Sequence, residues 1–548
     1  MNSAWNRLTK KRKKRKQTLQ FEETEITSNK EELSGHLDEN LKNIKEALGN
    51  SGDLGIREFK MGKPSMHKVA LIYINGLADK DIIGSAIIER LMGNVNNTES
   101  VDPQSPSQLF TYIKENILTV GKVEDITDWN KMLLSILSGK SILLIDGWNH
   151  AISCAAEGGE LRAITEPTIE PAVRGSKESF VEALITNTAM VRRRIKSPNL
   201  WVETMQLGKI TQTNVAIIYV KGIVNDKLLT EVKERLDKME VDEIIGSNTI
   251  EEWINDDTWT LWPTLLITER PDVVAGNLLE GRITIFVDGT PGSLILPATW
   301  NQFFQTAEDY YMRWYMASFL RLLRVVSFLI TLLGPSLFIA FLTFHPELIP
   351  TPLLVSLSAQ RHGIPFPVFI EALLMEFTFE VLREAGVRMP RPIGQAVSIV
   401  GALVLGEAAV AAGIVSSSMV IVVAGTAIAS FTIPHVAMTD ATRLLRFFMM
   451  MLAASFGLYG IGLGVIVLVA HTCSIRSFGI PYLAPFAPII FADWKDTIIR
   501  FPKPFLSKRP RLINQTKIKR TGNTQNLGPS PREGQIKDNE SKRDSNET

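Results

Sequence analysis

RPIGQAVSIVGALVLGEAAVAAGIVSSSMVIVVAGTAIASFTIP, residues 391–434, carries one ionisable side chain, Glu407, beyond the arginine that opens it. Within it the runs 393–411 and 414–433 are each long enough to cross a bilayer as a helix. Both are studded with Gly, Ala and Ser, which let helix backbones approach closely in lipid. A glutamate in such a run must face protein or water. The chain therefore reads as a membrane protein, and the rest is organised around this stretch.

Working outward, 325–344 reads as the first span, with Gly334–Pro335 predicting a kink. Arg321 and Arg324 precede it and predict a cytoplasmic N-terminal part by the positive-inside rule. The 345–365 loop is proline-rich and poor in positive charge, as an outer or re-entrant segment should be. PFPVFIEALLMEFTFEVLREAG (365–386) is apolar yet holds Glu371, Glu376 and Glu380. Glu376, Glu380 and Arg383 fall on one helical face, as a polar seam or as a helix lying in headgroup water. Arg383, Arg388 and Arg391 mark one inside loop, and Arg443 and Arg446 another, before a span at about 447–470. Residues 478–491 are short and broken by prolines. With both ends cytoplasmic the crossings must be even in number, and five or six segments qualify.

Upstream of the spans, about three hundred residues must fold in water. Residues 1–60 open on KKRKKRK, then turn acidic and polar, and predict a disordered basic tail. Beyond it lies a repeat. VALIYINGL (69–77) returns as VAIIYVKGI (215–223), and ILLIDG (142–147) as TIFVDG (284–289), at offsets of 146 and 142 residues. The expected fold class is a soluble α/β domain of two repeated subdomains, 61–165 and 166–315, followed by an all-α polytopic membrane domain, 316–495, and a disordered basic tail, 496–548. Strands alternating with helical patterns predict a mixed or parallel sheet.

Chemistry is thinly represented. The net charge is +1, and Cys154 and Cys473 make no disulfide framework. The histidines have no metal-ligand spacing, so neither metal nor cofactor is expected. A secretory signal is not expected at a polar, basic N-terminus. Asp146 and Asp288 read as turn formers in Asp-Gly pairs rather than catalytic carboxylates. No Walker A loop, dinucleotide fingerprint or nucleophile elbow occurs, and nothing aromatic is interleaved with the basic run to favour nucleic acid. Arg192, Arg193 and Arg194 read as a charged helix at a subdomain interface, with an anion site as the alternative.

ERPD (269–272), LLEGR (278–282), VDGTP (287–291), EDYY (308–311), the 365–386 segment and PRPIGQAVSIVGALVLGEAAVAAGIVS (390–416) together resemble the A subunit of GerA-type spore germinant receptors. The resemblance runs from about residue 61 to 491. One departure is RGSKESF (174–180), where the family tends to read RGPREGF, which puts that turn's geometry in doubt. The resemblance implies a non-enzymatic receptor subunit in the spore inner membrane, with its soluble domain and C-terminal tail cytoplasmic. Implied partners are a transporter-like B subunit that holds the nutrient, a lipoprotein C subunit, and further copies of the chain, as a pentamer forming a nutrient-gated cation channel. Candidate pore or gating residues are then Glu407, Gln395, Ser398, Glu371, Glu376 and Glu380. Candidate interface or membrane-boundary residues are Arg321, Arg324, Arg383 and Arg391. A scaffold or signal relay, and a secondary transporter, are the alternatives; no inverted membrane repeat supports the latter.

Overall fold

A computed structural model describes residues 32–61, 67–94, 105–158, 167, 170, 173–389, 404–514 and 517–521. Gln395, Ser398 and Arg391 lie outside the described residues, as does the basic run. The chain divides into two units. The first takes residues up to Ala47, Gly55–Ile74 and Ala78–Glu157; the second takes Leu48–Leu54, Asn75–Leu77 and everything from Gly158 onward.

In the first unit, five strands, β1 (Leu54–Met61), β2 (His67–Ile74), β3 (Val123–Ile126), β4 (Ser141–Ile145) and β5 (Ala151–Cys154), lie in the order β1-β2-β4-β5-β3. The second unit repeats this with β6 (Leu200–Leu207), β7 (Thr213–Val220), β8 (Leu266–Thr268), β9 (Ile283–Val287) and β10 (Ser293–Leu296), in the order β6-β7-β9-β10-β8. The repeated VALIYI and VAIIYV runs are β2 and β7. Their pairings with β4 and β9 are antiparallel, as are those of β5 and β10. This corrects the expected parallel or mixed sheet. The apolar runs are continuous because both faces are covered: Val215, Ile217 and Tyr219 pack with Leu228, Val232 and Ile250, while Ala216, Ile218 and Val220 pack with Leu184, Val191 and Leu278. Full burial, not strand direction, sets the pattern.

The repeat extends to single hydrogen bonds. Asp146 Oδ1 accepts from the Leu37 amide at 3.1 Å, and Asp288 Oδ1 from the Leu184 amide at 3.1 Å. Each aspartate thereby satisfies an amide at the start of a helix, Leu37–Ala47 in one unit and Leu184–Arg194 in the other. Asn40 and Asn187 bridge the backbones of Ser34 and Val181 in the same way. Gly147 and Gly289, at φ 83° and 84°, make the turns that aim the carboxylates. The first helix also corrects the expectation of disorder to residue 60. Leu37, Leu41, Ile44 and Leu48 form a buried stripe at helical spacing.

Among the described residues, two helices are long and apolar enough to cross a membrane, Trp314–Thr343 and Val436–Ser474, with Ser417–Ser430 a shorter apolar one. Straight, 39 residues would span about 58 Å. Instead Gly457, at φ 61° and ψ −140°, breaks the helix, and the chain folds back there. A Cβ on Gly460 would lie 2.3 Å from the Leu452 carbonyl oxygen, and one on Gly464 2.7 Å from Met449 Sδ. The segment is a helical hairpin with arms 436–456 and 458–474, not the single span expected at 447–470. Gly457→Leu is expected to disrupt it, because φ is left-handed and a Cβ meets Phe344 at 2.9 Å. A fall of several degrees in the midpoint of thermal unfolding checks this.

Further helices of this region run Thr351–Arg361, Val368–Arg388 and, after a helical stretch at 404–411, Ser417–Ser430. The last has 14 residues, about 21 Å of helix, shorter than the 414–433 span expected. Pro335 sits inside Trp314–Thr343 without ending it, and Gly334 there lets Thr426 approach, since a Cβ would meet it at 2.8 Å. Residues 478–491 form no helix. Tyr482, within them, is buried, and its carbonyl accepts from the Trp300 amide at 2.9 Å. Order also continues past residue 496, where a tail was expected: Thr497, Arg500 and Arg509 are buried. One apolar cluster joins a face of the second sheet to these helices, through Phe286, Phe303, Phe328, Met419 and Met450.

Candidate functional site

Charged side chains within the helical layer form one row. Glu371 accepts from the Ser416 amide at 2.6 Å and from its hydroxyl. One turn and a half further along Val368–Arg388, Glu376 meets Arg446 at 2.8 Å. Glu380 meets the same Arg446 at 3.2 Å and is bound by Arg443. Arg383 donates to Ser430 Oγ at 2.9 Å and lies over the Phe379 and Phe431 rings. Glu371, Glu376 and Arg446 are at most 1% exposed, so this face is protein-lined and not in headgroup water. Arg443 and Arg446, read as markers of an inside turn, sit within the hairpin as partners of these glutamates. The signal that identified them was available: acids four apart on one helix, arginines three apart on another.

Glu407 stands apart. Residues 404–411 are helical and Glu407 is exposed, with no hydrogen bond or ion pair among the described residues.

A second cluster lies where Trp314–Thr343 begins. Asp309 is wholly buried and takes Arg321 Nε at 2.8 Å and Arg324 Nη1 at 2.9 Å. Arg321 also binds Asp496 at 2.9 Å, and Arg500 donates to the carbonyls of Asp309 and Met312. The two arginines read as membrane-boundary residues are therefore engaged internally. Asp309 stands in the EDYY motif, but its pairing with these arginines, and Asp496 altogether, were not read from the sequence.

The sequence motifs converge beside this cluster. Tyr311 of EDYY donates to Asp272 of ERPD at 3.0 Å, and Arg270 of ERPD pairs with Asp272 at 2.9 Å and donates to the Ser176 carbonyl at 2.8 Å. Gly175 packs under the Tyr311 ring, where a Cβ would come within 2.6 Å. The departure at RGSKESF leaves this turn held: Ser176 Oγ accepts from Arg194 at 2.6 Å. Arg192 is bound by Asp53 and Ser51, Arg193 reaches the Gly158 carbonyl, and Arg194 takes Glu178. All three therefore have partners among the described residues.

A buried acid and imidazole meet at the start of the hairpin. Glu170 Oε1 lies 3.4 Å from His435 Nδ1, and Glu170 Oε2 accepts from Thr268 at 2.6 Å. Burial lifts the Glu170 carboxyl to about 7 and lowers His435 to about 4. An acid raised in the folded state stabilises fully below its unfolded value, near 4.5, and that stability is lost as pH rises towards 7. His435, held neutral, changes stability in the opposite sense over nearly the same window, so Glu170→Gln is expected to shift the variant-minus-native stability by about 2–3 kcal/mol in the variant's favour between pH 4.5 and 7. Unfolding midpoints measured from pH 4.5 to 7.5 check it.

Residues 42–512 match the family model described as Bacillus/Clostridium GerA spore germination protein. The chain belongs to that family. It is 46% identical over 506 residues to spore germination protein KA of Bacillus subtilis (strain 168), covering 92% of this chain and 91% of the relative. It is 38% identical to spore germination protein B1 of the same organism, covering 87% of this chain and 97% of the relative. Among solved structures it is similar to the N-terminal domain of the A subunit of the Bacillus megaterium spore germinant receptor GerK3. That likeness has 41% identity and a TM-score of 0.39, and covers 49% of this chain and 97% of that one.

Proposed function

We propose that this chain is the A-type subunit of a nutrient-sensing germinant receptor in the spore inner membrane. It acts there with a transporter-like B subunit and a lipoprotein C subunit, and oligomerises, as a pentamer, into a cation channel. The helical arms 314–343, 368–388, 417–430, 436–456 and 458–474 cross the membrane, and the apolar 393–411 run of the sequence supplies a sixth crossing. This even number leaves the α/β units and the residues after 474 on one side, the cytoplasm.

The observation that carries the channel reading is the contrast among the glutamates. Glu371, Glu376 and Glu380 each have internal partners, whereas Glu407 is exposed on an apolar segment. A carboxylate left so in lipid is costly, and water in a pore or a second copy of the chain would relieve it. Close packing of copies is tested by cross-linking Glu407→Cys in a Cys473→Ser background, since Cys473 is the exposed native thiol and Cys154 is buried. A ladder of oligomers in oxidised spore membranes is expected. Monomer alone, with a cysteine at an outer control position behaving identically, would overturn the ring.

A further inference from the structure

A cavity of about 160 Å³ opens in the second unit beside Glu280, Arg282, Tyr310, Asp493, Lys495 and Asp496. Its volume is comparable to a protein cavity that holds a benzene ring. The acids in its wall are already engaged. Glu280 is paired with Arg520 at 2.8 Å; Asp496 holds Arg321 at 2.9 Å and the Tyr310 hydroxyl at 3.1 Å. Asp493 accepts from the Arg511 amide at 2.9 Å and feels Lys508 through space. The cations are matched less closely. Arg282 is 3% exposed, and its Nε has no hydrogen-bond partner among the described residues, with the Glu280 carboxylate 3.9 Å off. Its Nη1 is taken by the Pro297 carbonyl. Lys495, exposed at the mouth, has no ion-pair partner among the described residues.

A buried guanidinium N–H left open, with an ammonium at the rim, suits an incoming anion. We propose that this cavity binds a compact anion bearing a carboxylate or phosphate group, with Arg282 as its inner donor and Lys495 at the mouth. The burial that lowers the Arg282 pKa to about 10 is the same desolvation an anion would offset. Occupancy would also reach the first long helix, because Tyr310 and Asp496 line the cavity and Asp496 holds Arg321.

The test uses the full chain in nanodiscs. Titration calorimetry with inorganic phosphate and with succinate, in phosphatidylcholine at fixed ionic strength, is expected to give saturable one-site binding. Lys495→Gln is expected to weaken it about three- to tenfold, and Ser507→Phe, which fills the cavity from a half-buried wall position, to abolish it. Arg282→Gln should abolish binding too, but the site does not depend on that variant folding. If phosphate and succinate leave the protein unmoved while phosphatidylglycerol raises its unfolding midpoint, and Ser507→Phe cancels the rise, the same site takes a lipid headgroup. Absence of both responses, or responses equal in Ser507→Phe and the native chain, would overturn the proposal.

Discussion

Asp309→Ala is expected to destabilise the protein by about 3–5 kcal/mol, because it leaves buried cations without their shared counter-charge. The carboxylate is completely buried and binds Arg321 and Arg324 together, while accepting from Thr306 at 3.2 Å. Arg321 would keep Asp496 and the Thr497 carbonyl; Arg324 would keep only the Phe304 carbonyl and the Thr306 hydroxyl. A useful comparison is the exposed Glu384–Arg388 pair, four residues apart on one helix, where Arg388→Gln should cost less than about 0.5 kcal/mol. Unfolding midpoints in detergent, with levels of full-length protein in membranes, measure both. Equal behaviour of the two variants would refute the structural weight given to the cluster.

The second large effect is expected at Arg446. This guanidinium binds Glu376 at 2.8 Å and Glu380 at 3.2 Å, and only 1% of its side chain is exposed. Arg446→Met leaves the buried Glu376 without its cation, and a loss of about 3–5 kcal/mol is expected. Arg446→Met combined with Glu376→Gln should recover part of that loss, because Glu380 retains Arg443. The coupling energy from the full double-mutant cycle is the quantity to measure. Strict additivity would mean that the 2.8 Å pair contributes nothing.

How far these features were legible follows from where each signal lies in the chain. β2 and β7 could be read from nine residues apiece, since a buried strand is written locally, and Asp146 and Asp288 stood out as turn formers. Strand direction was not written there: helices covering both faces produce the same apolar run in an antiparallel sheet. The Leu37, Leu41, Ile44 and Leu48 stripe was legible but was masked by the polar composition around it. The fold-back at Gly457 escaped a hydropathy reading because both arms are apolar; the glycines at 457, 460, 462 and 464 were its local trace. Arg321 resembled a headgroup-facing arginine because its partner Asp496 lies 175 residues away. Long-range charge pairing of this kind leaves no local mark.

Cation release from spores carrying Glu407→Gln, with subunit levels and nutrient exposure matched to the native strain, bears most directly on the channel reading. If Glu407 faces the conduction path, neutralising it should change the rate of release, or open spores without nutrient, while the subunit remains at native abundance. Native release from spores with native amounts of the variant would contradict that placement. The chain would then stand as a relay or scaffold for its partner subunits.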